Sequence, residues 1–242
     1  MTETRIRGLL FDKDGTLLDF QATWAQVADD TLDRLTPDRG LQIRLAEAVG
    51  YDAERRQFAA GSPIVAGATE EIASIWQRML PGTSTMRLIE ILVEGGDMAT
   101  EQGALTPAVP DLSGFLDGLR GAGYRLGIAT HDTEAAARAQ MRVLDAHDQF
   151  DFICGYDSGH GLKPGPGMLT EFSVRTGLAP YEIAMVGDSV HDLGVAASAK
   201  AGMAIGVLTG PATETDLAPY ADHILHSIGG LPALLHEVNA AR

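Results

Sequence analysis

Apolar residues change rhythm twice along the chain. Ile6, Leu9, Leu10 and Phe11 form a dense run, the pattern of a short buried strand, which stops abruptly at Asp12-Lys13-Asp14-Gly15-Thr16. After Asp19 the spacing turns helical: Trp24, Val27, Ala28, Thr31, Leu32 and Leu35 recur every three or four residues and make one amphipathic stripe. Pro37 ends that helix or opens the next, expected over 38–49 with Leu41, Leu45, Ala48 and Val49 on its apolar face. Gly61-Ser62-Pro63 and Gly67 punctuate a loop. A further helix starts at Thr69, runs through Ile72, Ile75, Trp76 and Met79, and is stopped by Pro81-Gly82; another spans 84 or 85 to about 98. Residues 20–104 show no convincing strand.

From Thr106 the pattern alternates. Pro107 to Pro110 reads as a stiff linker. Helices are expected over 111–121, from 133 or 134 to 144, over 166–176 and 190–201, and from Leu231 onward. Between them, strands are expected over 124–130, 150–155, 183–188, 203–208 and, more briefly, 222–225. Strands alternating with helices predict an α/β fold, a doubly wound parallel sheet covered on both faces. The expected organisation is an α/β core of residues 1–19 and 105–242, with an all-helical domain of residues 20–104 inserted after the first strand.

Composition narrows the function. The 242 residues are 45% hydrophobic and 21% charged, enough to bury a core and unlike a disordered chain. The net charge of -15 argues against non-specific binding to nucleic acid or an anionic membrane. An anionic substrate must then be drawn in by a local cation. The single cysteine, Cys154, forbids an intrachain disulfide and fits a reducing compartment; its place in the run 150–154 reads as core rather than nucleophile. No stretch approaches ~18 uninterrupted apolar residues, and Met1-Thr2-Glu3-Thr4-Arg5 has no secretory character. A soluble, cytoplasmic monomer or homodimer is expected.

Polar residues gather where strands end, which in open α/β sheets is where ligands bind. Asp12 and Asp14 follow the first strand. Thr130 ends the second, with His131 and Asp132 after it; a hydroxyl followed by free amides can hold a phosphate oxygen. Lys163 stands in Gly161-Leu162-Lys163-Pro164-Gly165-Pro166, and lysine is scarce here: Lys13, Lys163 and Lys200 against fifteen arginines. Asp188 ends another strand, and Asp192, four residues on, lies one helical turn away and faces it. Such acids repel unless a cation joins them.

In this order, each at a strand end, these four stretches resemble the four motifs of the haloacid-dehalogenase-like superfamily of phosphohydrolases, and its phosphoglycolate-phosphatase-like members above all. The resemblance implies Asp12 as the nucleophile and Asp14 as the acid/base. It implies Mg²⁺ held by Asp12, Asp188 and the Asp14 backbone carbonyl, with Asp192 helping directly or through water. Thr130 and Lys163 would bind phosphoryl oxygens, with His131 on the outer wall. The helical insert would act as a cap, with Ser62 in its Gly61–Pro63 loop, and Arg55 and Arg56, as candidates to read the leaving group. A small phosphorylated metabolite is the implied partner, 2-phosphoglycolate first. Two departures stand out: Lys13 lies where an apolar residue is more common, and His131-Asp132 replaces an Asn or small polar pair. A 2-haloacid dehalogenase has no need of Asp14, Asp188 and Asp192, and a phosphonatase would place a lysine in the insert, which has none. A receiver module pairs similar residues in about half the length. A sugar-phosphate mutase and a non-catalytic phosphoacceptor or binding protein remain as alternatives.

Overall fold

The computed structural model describes residues 5–66, 69–101 and 104–240; Gly67, expected in a loop, and residues 1–4 lie outside them. The chain divides into two compact units, Met1–Asp19 with Pro107–Arg242, and Phe20–Thr106.

The first unit opens with β1 (Gly8–Phe11), every residue of which is buried. The second unit follows: α1 (Phe20–Leu35), α2 (Arg39–Val49), a hairpin of β2 (Tyr51–Asp52) and β3 (Gln57–Phe58), then α3 (Pro63–Ala66), α4 (Thr69–Gln77) and α5 (Thr85–Glu101). Asp38 caps α2 by accepting from the Gly40 and Leu41 amides, and Gly50 ends it at φ 85°, a left-handed position that suits glycine. The hairpin is an addition to the helical pattern. Tyr51 and Phe58 face each other in register with rings stacked at 4.6 Å, and Phe58 meets Phe20 of α1 edge to face. Both rings belong to the core that Leu32, Leu45, Val49, Ile72 and Trp76 fill. The Trp76 indole N–H donates to the Leu45 carbonyl at 2.9 Å, so the largest buried side chain leaves no orphan donor.

The first unit resumes with α6 (Leu112–Gly121), β4 (Arg125–Ala129), α7 (Glu134–Val143), β5 (Phe152–Cys154), α8 (Gly167–Thr176), β6 (Ile183–Gly187), α9 (Val190–Ala199), β7 (Met203–Val207), α10 (Glu214–Leu217), β8 (His223–Leu225) and α11 (Leu231–Ala240). The six long-range strands make one parallel sheet in the order β5-β4-β1-β6-β7-β8. β1 is central: Phe11 pairs with Ile128 of β4 on one side and Val186 of β6 on the other. The chain builds outward from β1 in one direction, then returns and builds in the other. That reversal leaves a crevice beyond the carboxyl ends of β1, β4 and β6. On one face of the sheet Leu10 and Met185 pack with Met168, Leu169 and Phe172 of α8 and Leu193 and Ala196 of α9. Cys154 is buried in this cluster, as its apolar run implies. Among the described residues no helix is long and apolar enough to cross a membrane.

Candidate active site

β1 and β6 hydrogen-bond side by side, so the residues that follow them are delivered to the same place. The Asp12 amide donates to the Val186 carbonyl at 2.8 Å, extending the ladder to the first acid. Asp188 leaves β6 one residue later, and Asp192 returns on the first turn of α9. Carboxylate oxygens of Asp12, Asp188 and Asp192 lie within 4.8 Å of one another, all three residues buried. Among the described residues this is the one cluster of three acidic, histidine or cysteine side chains spaced to hold a metal ion.

Lys163 enters the cluster from the loop before α8. Its Nζ donates to Asp12 Oδ1 at 2.5 Å, Asp192 Oδ1 at 2.6 Å and the Ala129 carbonyl at 3.2 Å, three acceptors for three N–H bonds. Burial alone would pull the lysine toward neutrality, but the Asp12 and Asp192 charges outweigh it and raise its pKa. Three carboxylates against one ammonium leave a formal charge of -2 in a buried space. Burial first, then Asp192 and Asp14, push Asp12 up to about 7 despite Lys163. Burial and the Asp12 and Asp192 charges raise Asp188 well above the usual carboxylate range. Both shifts have one physical meaning: the site holds more negative charge than its own lysine offsets. An all-oxygen donor set with that deficit fits a hard divalent cation.

Glycines make the cluster possible. A Cβ on Gly15 would lie 2.4 Å from Asp188 Oδ2, and one on Gly210 only 1.7 Å from it. A Cβ on Gly187 would stand 2.2 Å from that of Asp192. Gly15 also takes φ 90°, as the turn after β1 requires. The Thr209 hydroxyl donates to the Gly15 carbonyl at 2.7 Å and ties the loop after β7 to the Asp12–Thr16 turn. Thr209 and Gly210 are not evident in the sequence, because neither sits in an acidic or basic motif.

The other expected residues take different places. Asp14 stands outside the three-acid cluster, paired with Lys13 Nζ at 2.5 Å. Thr130 is buried at the end of β4, and its Oγ1 accepts from the Asp132 amide at 3.0 Å, which leaves the hydroxyl proton to donate elsewhere. His131 Nε2 accepts from the Lys163 amide at 3.0 Å, which puts the ring proton on Nδ1. Burial and the Lys163 charge hold this imidazole down to about 4, so it is neutral at pH 7. His131 therefore braces the Lys163 loop, a role its position after Thr130 does not announce.

Ser62, Arg55 and Arg56 belong to the second unit. Among the described residues the Ser62 Oγ is buried without a hydrogen-bond partner, and a Cβ on Gly50 would meet the Ser62 Cβ at 2.2 Å. Arg55 pairs with Asp52 at 2.7 Å within the hairpin, and Arg56 pairs with Asp29 of α1 at 3.0 Å, so one arginine closes the hairpin and the other ties it to α1.

The sequence profile of the haloacid dehalogenase-like hydrolases matches residues 6–200. A phosphoglycolate phosphatase from Escherichia coli O157:H7 is 29% identical over 243 aligned positions, covering 95% of this chain and 92% of the relative. Among solved structures, a predicted phosphoglycolate phosphatase from Haemophilus somnus 129pt superposes with TM-score 0.69 at 18% identity, covering 97% of this chain and 99% of that one. A HAD family hydrolase from Deinococcus radiodurans R1, solved with bound phosphate and sodium, gives TM-score 0.72 at 20% identity over 97% of each chain.

Proposed function

Because the chain belongs to the haloacid dehalogenase-like hydrolase family, we propose that it is a Mg²⁺-dependent phosphatase of small organic phosphate monoesters, with Asp12 as nucleophile. The observation that carries this reading is the buried grouping of Asp12, Asp188 and Asp192 around Lys163 beyond the ends of β1 and β6. The curated relatives named phosphoglycolate phosphatase put 2-phosphoglycolate first among substrates.

Asp12, Asp188 and Asp192 would hold the cation, with the Asp14 backbone carbonyl beside them. Bound there, Mg²⁺ supplies positive charge to the phosphoryl oxygens and favours the carboxylate form of Asp12. Asp12 attacks phosphorus; the Asp12 O–P bond forms as the P–O bond to the leaving alcohol breaks. Lys163 fixes Asp12 Oδ1, so the attacking group is held in one orientation. Asp14 gives its proton to the departing alkoxide. In the second half Asp14 takes a proton from water, the water oxygen bonds phosphorus, and the aspartyl–phosphate bond breaks to release inorganic phosphate. The Thr130 hydroxyl donates to a phosphoryl oxygen, and the Lys163 ammonium, its three N–H bonds engaged by Asp12, Asp192 and Ala129, adds positive charge beside it, where preorganised groups count most in the transition state. These groups handle the phosphoryl moiety alone, so discrimination among leaving groups is assigned to the Phe20–Thr106 unit acting as a cap.

The test is phosphate release from a panel of phosphorylated metabolites. Wild type should turn over small monoesters with Mg²⁺, fall silent in EDTA and recover when Mg²⁺ is restored. Asp12→Asn should lose turnover while keeping its circular-dichroism spectrum. Full activity in Asp12→Asn or in metal-free buffer would overturn the reading, and isomerisation of a sugar phosphate without phosphate release would assign a mutase instead.

A further inference from the structure

Lys13 is fully buried on the turn that follows β1, between the two motif acids. A lysine sealed from water loses its hydration and must recover it from acceptors in place. Acceptors stand around its Nζ: Asp14 Oδ2 at 2.5 Å, Gln140 Oε1 at 2.6 Å and Asp132 Oδ2 at 3.3 Å. Gln140 is buried on α7, and Asp132 immediately precedes Thr133, the residue that caps this helix. Asp132 is itself pinned, its Oδ1 accepting from the Thr133 amide at 2.7 Å. The ammonium thus ties the Asp14 carboxylate to the start and body of a second, rigid element. The shortest of these contacts goes to Asp14, whose side chain stays 21% exposed and open to a reactant while the group that holds it is sealed.

We propose that Lys13, anchored by Gln140 and Asp132, is a positioning residue that aims the Asp14 carboxylate at the leaving-group oxygen. The proposal rests on the reading of Asp14 as the acid/base. An acid on a tight turn has rotamers that miss the leaving group, and catalysis by proton transfer falls steeply when the donor is misplaced. Lys13 removes those rotamers. The same tie leaves Asp12 to Lys163, so each of the two motif acids has its own buried lysine.

The experiment uses two substrates that differ in their need for a proton. An alkyl phosphate expels a strongly basic alkoxide and depends on the general acid; p-nitrophenyl phosphate expels a stabilised phenolate and hardly does. kcat/KM reads phosphoryl transfer to Asp12 and is measured for both at saturating Mg²⁺. Lys13→Met keeps the alkyl stem and removes the charge. It should lower kcat/KM for the alkyl phosphate about 10- to 100-fold, part of the ~10²–10⁴ that general acid–base catalysis contributes, and move that for p-nitrophenyl phosphate less than about 3-fold. Where Lys13→Met does not fold, Gln140→Met removes one anchor only and should show the same selective loss at about 3- to 10-fold. In an Asp14→Asn background the Lys13→Met change should cost nothing further, because positioning residues act through their target. An equal drop on both substrates, wild-type rates, or an undiminished second loss in the Asp14→Asn background would each overturn the proposal. If Asp14→Asn itself keeps full activity on the alkyl phosphate, the underlying assignment of Asp14 fails instead.

Discussion

A methyl group on Gly210 would overlap the Asp188 carboxylate, its carbon 1.7 Å from Oδ2. No side-chain rotation relieves that, since the intruding atom is the Cβ itself, so Asp188 must swing out of the cluster. Gly210→Ala should therefore weaken divalent-cation affinity about 10-fold or more, a cost of ~1.4 kcal/mol, measured by titration calorimetry. Gly118→Ala is the control. It lies in α6 with nothing within 4 Å of the added carbon, and should leave metal affinity unchanged while adding about 0.5–1 kcal/mol of helix stability. Equal metal affinity in Gly210→Ala and wild type would remove Asp188 from the ligand set. At this scale the sequence is readable only where chemistry and chain position coincide. Asp12, Asp14, Asp188 and Asp192 stand out as acids at strand ends, and Lys163 by its rarity. Gly210 and Thr209 do not, because their contacts with Asp188 and Gly15 form only in the fold, the second across 194 residues. Lys13 is visible as a departure, yet its partners Asp132 and Gln140 appear only once β1 and α7 are placed together.

At the scale of the element, α9 couples its own stability to the site. Ser189 is its N-cap: the Ser189 Oγ accepts from the Asp192 amide, and the Ser189 amide and hydroxyl donate to Asp192 Oδ2 at 3.1 and 2.6 Å. The other Asp192 oxygen accepts from Lys163, so one carboxylate completes a capping box and faces the cluster. Ser189→Ala should cost about 1 kcal/mol, near 2–4 °C in Tm for a chain of this size, and should also loosen Asp192 and raise the Mg²⁺ requirement for activity. Thr213 and Asp216 make the same box at α10, with no part in the cluster. Thr213→Ala should lower Tm comparably and leave the Mg²⁺ requirement alone; matching Mg²⁺ curves in both variants would reduce Ser189 to a cap. The periodic helices are legible because ten or more residues average out local noise, as over 134–143, 167–176 and 190–199. The β2–β3 hairpin is not, since two residues per strand cannot display alternation. Its turn also carries Arg56 at φ 53° where a glycine would have announced it. What forms it is tertiary, the Phe58 ring stacked on Tyr51 and set edge to face on Phe20.

The whole molecule carries a charge of -15, and three of its carboxylates are buried together beyond the ends of β1 and β6, where added salt screens them little. Proton and metal ion therefore compete for the same carboxylates. Without a cation, Asp12 binds its proton more tightly in the folded protein, at about 7, than in the unfolded chain, at 3.8, and Asp188 is shifted in the same direction. Between those values the folded state holds more protons than the unfolded one, so the contribution of Asp12 is full below pH 3.8 and is lost as pH rises toward 7, and Asp188 acts with the same sign. The metal-free protein should accordingly lose stability on going from pH 5 to pH 7.5, beyond what an Asp12→Asn variant loses. Mg²⁺ should reverse the trend. At a free concentration one hundred times its Kd, binding to the folded state alone adds about 2.7 kcal/mol, or roughly 5–10 °C in Tm. The gain should shrink as pH falls and protons displace the metal ion. NaCl at matched ionic strength should not substitute, because screening acts on exposed charges and these are buried. Differential scanning calorimetry of wild type and Asp12→Asn at pH 5 and 7.5, in EDTA, MgCl₂ or NaCl, tests all of this at once. A pH-independent Mg²⁺ shift, or one that NaCl reproduces, would mean that the cation acts on the acidic surface and not on the Asp12–Asp188–Asp192 cluster.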